Sequence, residues 1–217
     1  MKKLLAMTVI AAALSQNAHA AIVLDFEGAG SGAQLLNFYN GGTDSAGNSG
    51  TNYGIAFGSN ALTAIDSDDG GSGNFANEPS SKTTMFFLSG SAVLNYAAGF
   101  DTGFSFFYSS STAASVKVYD GIDATGTLLA DIPLTAQFNQ GCTGDPTGGF
   151  CNWTAVGATF AGIAKSIDFG GTVNQVGYDN ITFGSSTPGT VPEPASLALI
   201  GVGLAAVLRT RRRAVQH

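Results

Sequence analysis

The groups able to do acid–base or nucleophilic chemistry are unevenly placed. Both histidines, His19 and His217, stand near the ends of the chain, and all four arginines, Arg209, Arg211, Arg212 and Arg213, follow residue 208. From Ala21 to Thr190 the only cations are Lys82, Lys117 and Lys165. Every acid of the chain except Glu193 lies in that same segment, among them Asp25, Glu27, Asp66, Asp68, Asp69, Glu78 and Asp179. Without histidine or arginine, the segment cannot run a Ser–His or Cys–His mechanism. What remains is carboxylate chemistry: holding a hard cation, or a pair of acids acting on a glycosidic bond. Glu27 and Glu78 are the only glutamates in the segment, and the many aspartates single out no pair. No catalytic residue is assigned, and the chain reads as a non-enzyme. A carboxylate-based glycosidase is the alternative that these acids leave open.

The charge balance points the same way. Three lysines against fourteen acids give the segment a net charge of −11, against −6 for the whole chain. Phosphate binding needs clustered Lys and Arg, so a nucleic-acid partner is excluded. Acidity of this kind suits solubility and cation binding. Asp66, Asp68 and Asp69 sit in a Gly/Ser-rich stretch but lack the EF-hand spacing, and they read as a solvated loop. Asp179 shares strand parity with Ile181 and Phe183, which would aim it at the core, where a carboxylate must be hydrogen-bonded or metal-bound. Trp153, Phe107, Tyr108 and Tyr119 would serve either as a stacking platform for sugars or as ordinary core.

The two cysteines, Cys142 and Cys151, both fall in the acidic segment. Their spacing matches no zinc or thioredoxin motif, and an even count in an oxidising compartment predicts a disulfide. Closing so short a loop would stabilise by roughly 2–3 kcal/mol on the chain-entropy argument.

The elements that must position these groups are strands. Short apolar runs recur between Gly, Ser and Asn turn signals: 22–26, 53–57, 61–65, 85–88, 92–96, 103–108, 115–119, 128–132, 153–156, 166–169 and 178–183. About ten to eleven strands suffice for two packed sheets. Runs 53–57 and 61–65 read as one pair, and 103–108 with 115–119 as another. Phe104, Phe106 and Tyr108 share one face of their strand. Stretches 37–52 and 66–81 read as loops.

Both ends are targeting elements. Lys2 and Lys3, the apolar run Leu4–Leu14, and the small-residue site Ala18-His19-Ala20 make residues 1–20 a secretory signal peptide, cut between Ala20 and Ala21. Export would engage the Sec translocase and signal peptidase. After a sandwich domain at 21–184 and a Ser/Thr/Pro/Gly linker at 185–191 comes a second signal, residues 192–217. Pro192 and Pro194 keep the chain extended enough to enter a protease cleft. The apolar run Ala195–Leu208, extended back to Val191, would span about 27 Å as a helix, near the thickness of a thin bilayer core. Arg209, Arg211, Arg212 and Arg213 would hold the C-terminus in the cytoplasm.

Val191-Pro192-Glu193-Pro194, the single transmembrane helix and the terminal arginines together resemble the PEP-CTERM sorting signal of Gram-negative bacteria that make exopolysaccharide and biofilm. The resemblance implies processing at or beside Val191–Pro194 by an exosortase. Transient anchoring in the inner membrane and delivery to the cell surface or extracellular matrix would follow. More loosely, Asp25-Phe26-Glu27-Gly28 and Tyr178-Asp179-Asn180-Ile181-Thr182-Phe183 resemble the first and last strands of jelly-roll β-sandwich modules, including carbohydrate-binding modules. That resemblance implies that the terminal strands are neighbours and that Asp25, Glu27 and Asp179 hold a structural calcium. The expected function is therefore a non-catalytic surface or matrix protein associated with exopolysaccharide. The alternative is a calcium-dependent carbohydrate-binding module.

Overall fold

A computed structural model describes residues 22–140 and 148–189, and the compact unit they build spans Ile22–Thr190. The signal peptide with Ala18, Ala20 and Ala21, together with Cys142, Val191–Pro194, the helix at 195–208 and the terminal arginines, lies outside the described residues. Among the described residues no helix is long and apolar enough to cross a membrane.

The described chain forms eleven strands: β1 (Ile22–Leu24), β2 (Ile55–Phe57), β3 (Leu62–Ile65), β4 (Thr83–Phe86), β5 (Ala92–Phe100), β6 (Phe104–Ser110), β7 (Ala114–Tyr119), β8 (Leu128–Leu134), β9 (Thr154–Ala158), β10 (Ala164–Phe169) and β11 (Val176–Phe183). Each overlaps a run expected from the sequence, with β4 starting two residues earlier and β5 running four residues further than expected. They make two antiparallel sheets. One has the order β3-β4-β11-β6-β9, with β1 also on β11, and the other the order β2-β5-β10-β7-β8. The terminal strands are neighbours, Val23 opposite Thr182.

The expected pairings are corrected. β2 pairs with β5 and β3 with β4, so Gly58-Ser59-Asn60 carries the chain from one sheet to the other instead of closing a hairpin. β6 pairs with β11 and β9, while β7 pairs with β10 and β8. Each of these consecutive strands changes sheet, which lets both bury an apolar face in the same core.

That core explains why alternation is visible in the sequence. Phe104, Phe106 and Tyr108 of β6 meet Phe169 of β10 and Tyr178 of β11, the Phe106 and Phe169 rings packing edge to face with centroids 5.8 Å apart. Phe100, Phe104 and Phe183 form a second aromatic knot. Such pairs add about 0.5–1.5 kcal/mol each beyond their area burial.

One sequence expectation fails on a single residue. Asp179 stands opposite Phe107 and Thr182 opposite Ser105, so β11 carries one residue more than β6 between these pairs. Asn180 absorbs the extra residue with φ +47°. This bulge reverses the parity. Tyr178, Ile181 and Phe183 face the core together, and Asp179 points to the outer side of its sheet, where it is nevertheless fully buried.

Beyond β11 the chain does not leave the fold at once. The Gly184 amide donates to the Gly103 carbonyl, Pro188 is buried, and the Gly189 amide reaches Thr182 Oγ1. The Ser186 backbone crosses β9 at Gly157, where an added Cβ would sit 1.9 Å from the Ser186 oxygen.

Candidate functional site

Loop 66–81 is curled by backbone bonds that only glycine permits. Its neck is closed by the Asp66 amide donating to the Lys82 carbonyl. A 3-10 turn, Ser67–Asp69, ends at Gly70 with φ +86°. The chain then folds back across the end of β3: the Gly73 amide donates to the Ile65 carbonyl, and a Cβ on Gly71 would lie 2.0 Å from that oxygen. The curl brings carboxylates together. Oxygens of Asp66, Asp69 and Glu78 lie within 4.8 Å of one another, with Asp66 buried, Glu78 half-buried and Asp69 exposed. Burial pushes the Glu78 carboxyl above its ordinary value, and the charges of Asp66, Asp69 and Glu27 push it further. Asp68 stays outside this group. The sequence reading of a solvated loop missed it, because Glu78 joins from the far side of a run of glycines.

Just past Glu78, the loop meets the acids of the terminal strands. The Ser80 amide donates to Asp179 Oδ2 at 2.7 Å, and the Asn180 amide to Oδ1 at 2.7 Å. Burial pushes the Asp179 carboxyl up to about 7, against the opposing effect of these bonds, and the nearby Glu27 charge adds to the rise. Glu27 Oε1 accepts from Ser80 Oγ and from the Lys82 and Thr83 amides. Asp25 Oδ1 instead accepts from the Tyr39 hydroxyl and the Glu27 amide. Glu27 and Asp179 thus converge on Ser80, while Asp25 turns to Tyr39, whose hydroxyl is held far above its ordinary value by burial.

The same loop forms one wall of a cleft of about 250 Å³. Ser72, Gly73, Asn74 and Phe75 come from the loop, Thr84, Phe86 and Leu88 from β4 and its end, Asn174, Val176 and Gly177 from the start of β11, and Phe150 and Trp153 from the segment before β9. The Gly149 and Phe150 amides donate to the Asn74 carbonyl, and the Ala76 amide to the Phe150 carbonyl, which ties loop 66–81 to that segment. Trp153 Nε1 donates to the Ala76 carbonyl at 3.0 Å, and the ring packs edge to face on Phe75. Gly177 leaves room for this indole, since a Cβ there would lie 3.1 Å from it. Among the described residues no charged side chain lines the cleft.

Of the four aromatics weighed as a platform, Trp153 lines this cleft. Tyr108 faces the core, and Phe107 and Tyr119 are half-buried elsewhere. Phe75, Phe86 and Phe150 were not singled out in the sequence. Phe75 and Phe150 are lone aromatics beside Gly and Asn, the signal of any loop, and Phe86 lies in the apolar run of a strand. Cys151 is buried, and no cysteine among the described residues is free.

What decides the kind of protein is the end of the chain. Residues 190–213 match the family model of the PEP-CTERM protein-sorting motif. This chain carries a PEP-CTERM sorting motif. The match covers the Pro192-Glu193-Pro194 motif, the apolar run and the arginines to Arg213. It names exosortase as the processing partner that the motif implies. No curated protein matches the chain.

Several solved structures show distant likeness, three of which follow. The K2 cleaved adhesin domain of Lys-gingipain is 9% identical, with 76% of this chain and 100% of that chain covered and a TM-score of 0.48. A family 6 carbohydrate-binding module is 16% identical, over 59% of this chain and 85% of that one, with a TM-score of 0.37. A glycoside hydrolase family 43 arabinoxylan arabinofuranohydrolase from Bacillus subtilis is 16% identical, over 59% of this chain but only 25% of the enzyme, with a TM-score of 0.40. At these identities no ligand or activity carries over from them.

Proposed function

We propose that this chain is an exported, non-catalytic surface or matrix protein, sorted by its C-terminus. The signal peptide at 1–20 sends it through the Sec translocase. The helix at 195–208, with its arginines, anchors it in the inner membrane for a time. An exosortase then processes it at Val191-Pro192-Glu193-Pro194, and the jelly-roll-like domain is delivered to the surface or to exopolysaccharide. The PEP-CTERM motif at 190–213 carries this reading. A non-catalytic role is supported by Glu27, whose Oε1 is taken up by three donors and so holds the fold together. In an oxidising compartment Cys142 and Cys151 would pair. Expression in hosts with and without exosortase tests the reading: the two should yield different C-terminal masses, and identical masses would overturn it.

A second reading is a calcium-dependent carbohydrate-binding module, favoured by the acidic loop and the cleft it walls. Three carboxylates crowded together, with one held above its ordinary value by burial and by its neighbours' charge, suit a hard divalent cation. Asp66, Asp69 and Glu78 would hold it, and the cation would fix the loop that carries Phe75 and Asn74. Asp25, Glu27 and Asp179 are the other candidate set. Backbone amides already face the oxygens of Glu27 and Asp179, which leaves less for a metal to satisfy. A glycan array run with calcium and with chelator should show binding that the chelator weakens. No signal under either condition would remove this reading.

A further inference from the structure

The cleft's lining says which saccharides it would accept. Trp153, Phe86 and Phe150 offer ring faces and edges to the C–H faces of a pyranose. Asn74 and Asn174 stand exposed at the rim, and their side-chain amides make no hydrogen bond among the described residues. Each such amide can both donate to and accept from a sugar hydroxyl. A volume of about 250 Å³ is just under the range of roughly 300–1,000 Å³ typical of drug-sized ligands, which suits one or two sugar rings. Electrostatics then narrows the class. Among the described residues the lining carries no lysine or arginine to meet a carboxylate or sulfate. The loop that supplies one wall carries four acids, Asp66, Asp68, Asp69 and Glu78, and no Lys or Arg, so it stays net negative even with one calcium bound, and the segment as a whole is strongly anionic. An anionic sugar entering here would be desolvated without a partner, beside like charges.

We infer that the cleft between loop 66–81, β4 and the start of β11 binds a neutral sugar unit and rejects uronates. This rests on the carbohydrate-binding reading above and deepens it. A protein of this kind would hold the uncharged residues of a mixed polysaccharide and leave its acidic residues solvated.

The test is isothermal titration of the full chain with mannotetraose, xylotetraose and laminaritetraose, against tetragalacturonate and tetramannuronate, each with calcium and with chelator. At least one neutral probe should bind about tenfold or more tighter than either uronate. Trp153→Ala should lower that affinity at least tenfold, with an unchanged near-ultraviolet spectrum to show that the fold persists. Should that variant unfold, Phe86→Ala replaces it with the same expectation. Asn74→Lys, which adds a cation to the rim, should admit uronates without strengthening neutral binding. Tighter binding of a uronate by the native chain overturns the inference but leaves a carbohydrate-binding protein, as does neutral binding indifferent to both Trp153→Ala and Phe86→Ala. Absence of binding by every probe, with and without calcium, removes both.

Discussion

Loops 37–52 and 66–81 are both rich in Gly, Ser and Asn, but the first carries one acid, Asp44, and the second four, and they solve opposite electrostatic problems. In the first, Asp44 collects its own donors. Its Oδ1 accepts from the Ala46 and Asn48 amides and its Oδ2 from the Gly30 amide and Asn48 Nδ2. Burial works to raise its pKa, but these bonds outweigh burial and hold the carboxyl below its usual range. Phe38 then lies over Gly50, where a Cβ would meet the ring at 2.4 Å, and seals the loop. In the second loop the acids face one another, and Glu78 is pushed up instead of down. The number of acids accounts for part of the difference, since a lone carboxylate has no like charge beside it. The rest lies in whether the backbone turn aims its amides at the carboxylate, as it does at Asp44.

The comparison can be broken most forcefully by pH. Acids with raised values are stabilising when protonated. Relative to the unfolded chain, Asp179 therefore imposes no penalty below pH about 4, and stability falls as pH rises toward about 7, by up to about 4 kcal/mol. Glu78 acts in the same direction. Asp44 has the opposite sign: its contribution is present at neutral pH and is lost as pH falls through its depressed value. Urea melts across pH 4 to 8 should show the Asp179 decline, and Asp179→Asn should flatten it while lowering stability overall, since its amide nitrogen would face a donor. A pH-independent difference between the two proteins would contradict the assignment.

Next in size is Asp44→Ala, which strands the Ala46 and Asn48 amides of loop 37–52 and the Gly30 amide before it. It should cost about 3 kcal/mol, whether or not calcium is present. A loss under 1 kcal/mol would mean that the turns and Phe38 hold the loop without the carboxylate.

Calcium sharpens the contrast from the other side. At a concentration one hundred times its Kd, an ion bound only by the folded state adds about 2.7 kcal/mol. Thermal melts should show this gain in the native chain and in Asp179→Asn, and lose it in the double variant Asp69→Asn, Glu78→Gln. The reverse pattern would move the ion to Asp25, Glu27 and Asp179.

The smallest effect is Gly177→Ala. The new methyl would press on Trp153 and cost no more than about 1 kcal/mol, because the indole lies at a partly open cleft. A shift in tryptophan fluorescence should accompany it, and an unchanged spectrum would place the indole elsewhere.

The strands were legible because each buries one face. Alternation at Phe104, Phe106 and Tyr108 follows directly from the two-residue period. Their partners were not legible, since Gly58-Ser59-Asn60 can close a hairpin or turn a corner between sheets with equal ease. The parity of Asp179 fails for a related reason. Nothing near Asn180 marks a bulge except that asparagine tolerates positive φ. The acids of loop 66–81 were visible one by one, but their meeting depends on Gly71 and Gly73 folding the chain over Ile65, a long-range bond pattern without local periodicity. Trp153 could be named as a candidate from its type alone, whereas Phe75 and Phe150 acquire meaning only from the bridge between them.

The strap formed by residues 184–189 sets the length of a leash. Only Thr190 and Val191 separate its last seated residue, Gly189, from Pro192, three Cα-to-Cα steps that span about 11 Å at most. A side chain at position 157 would collide with the Ser186 backbone and lift the strap, releasing six more residues, or about 20 Å of reach. If the chain is cut at Val191–Pro194 as proposed, one hydrogen atom where a methyl group would otherwise stand governs how near the enzyme must come to the folded body.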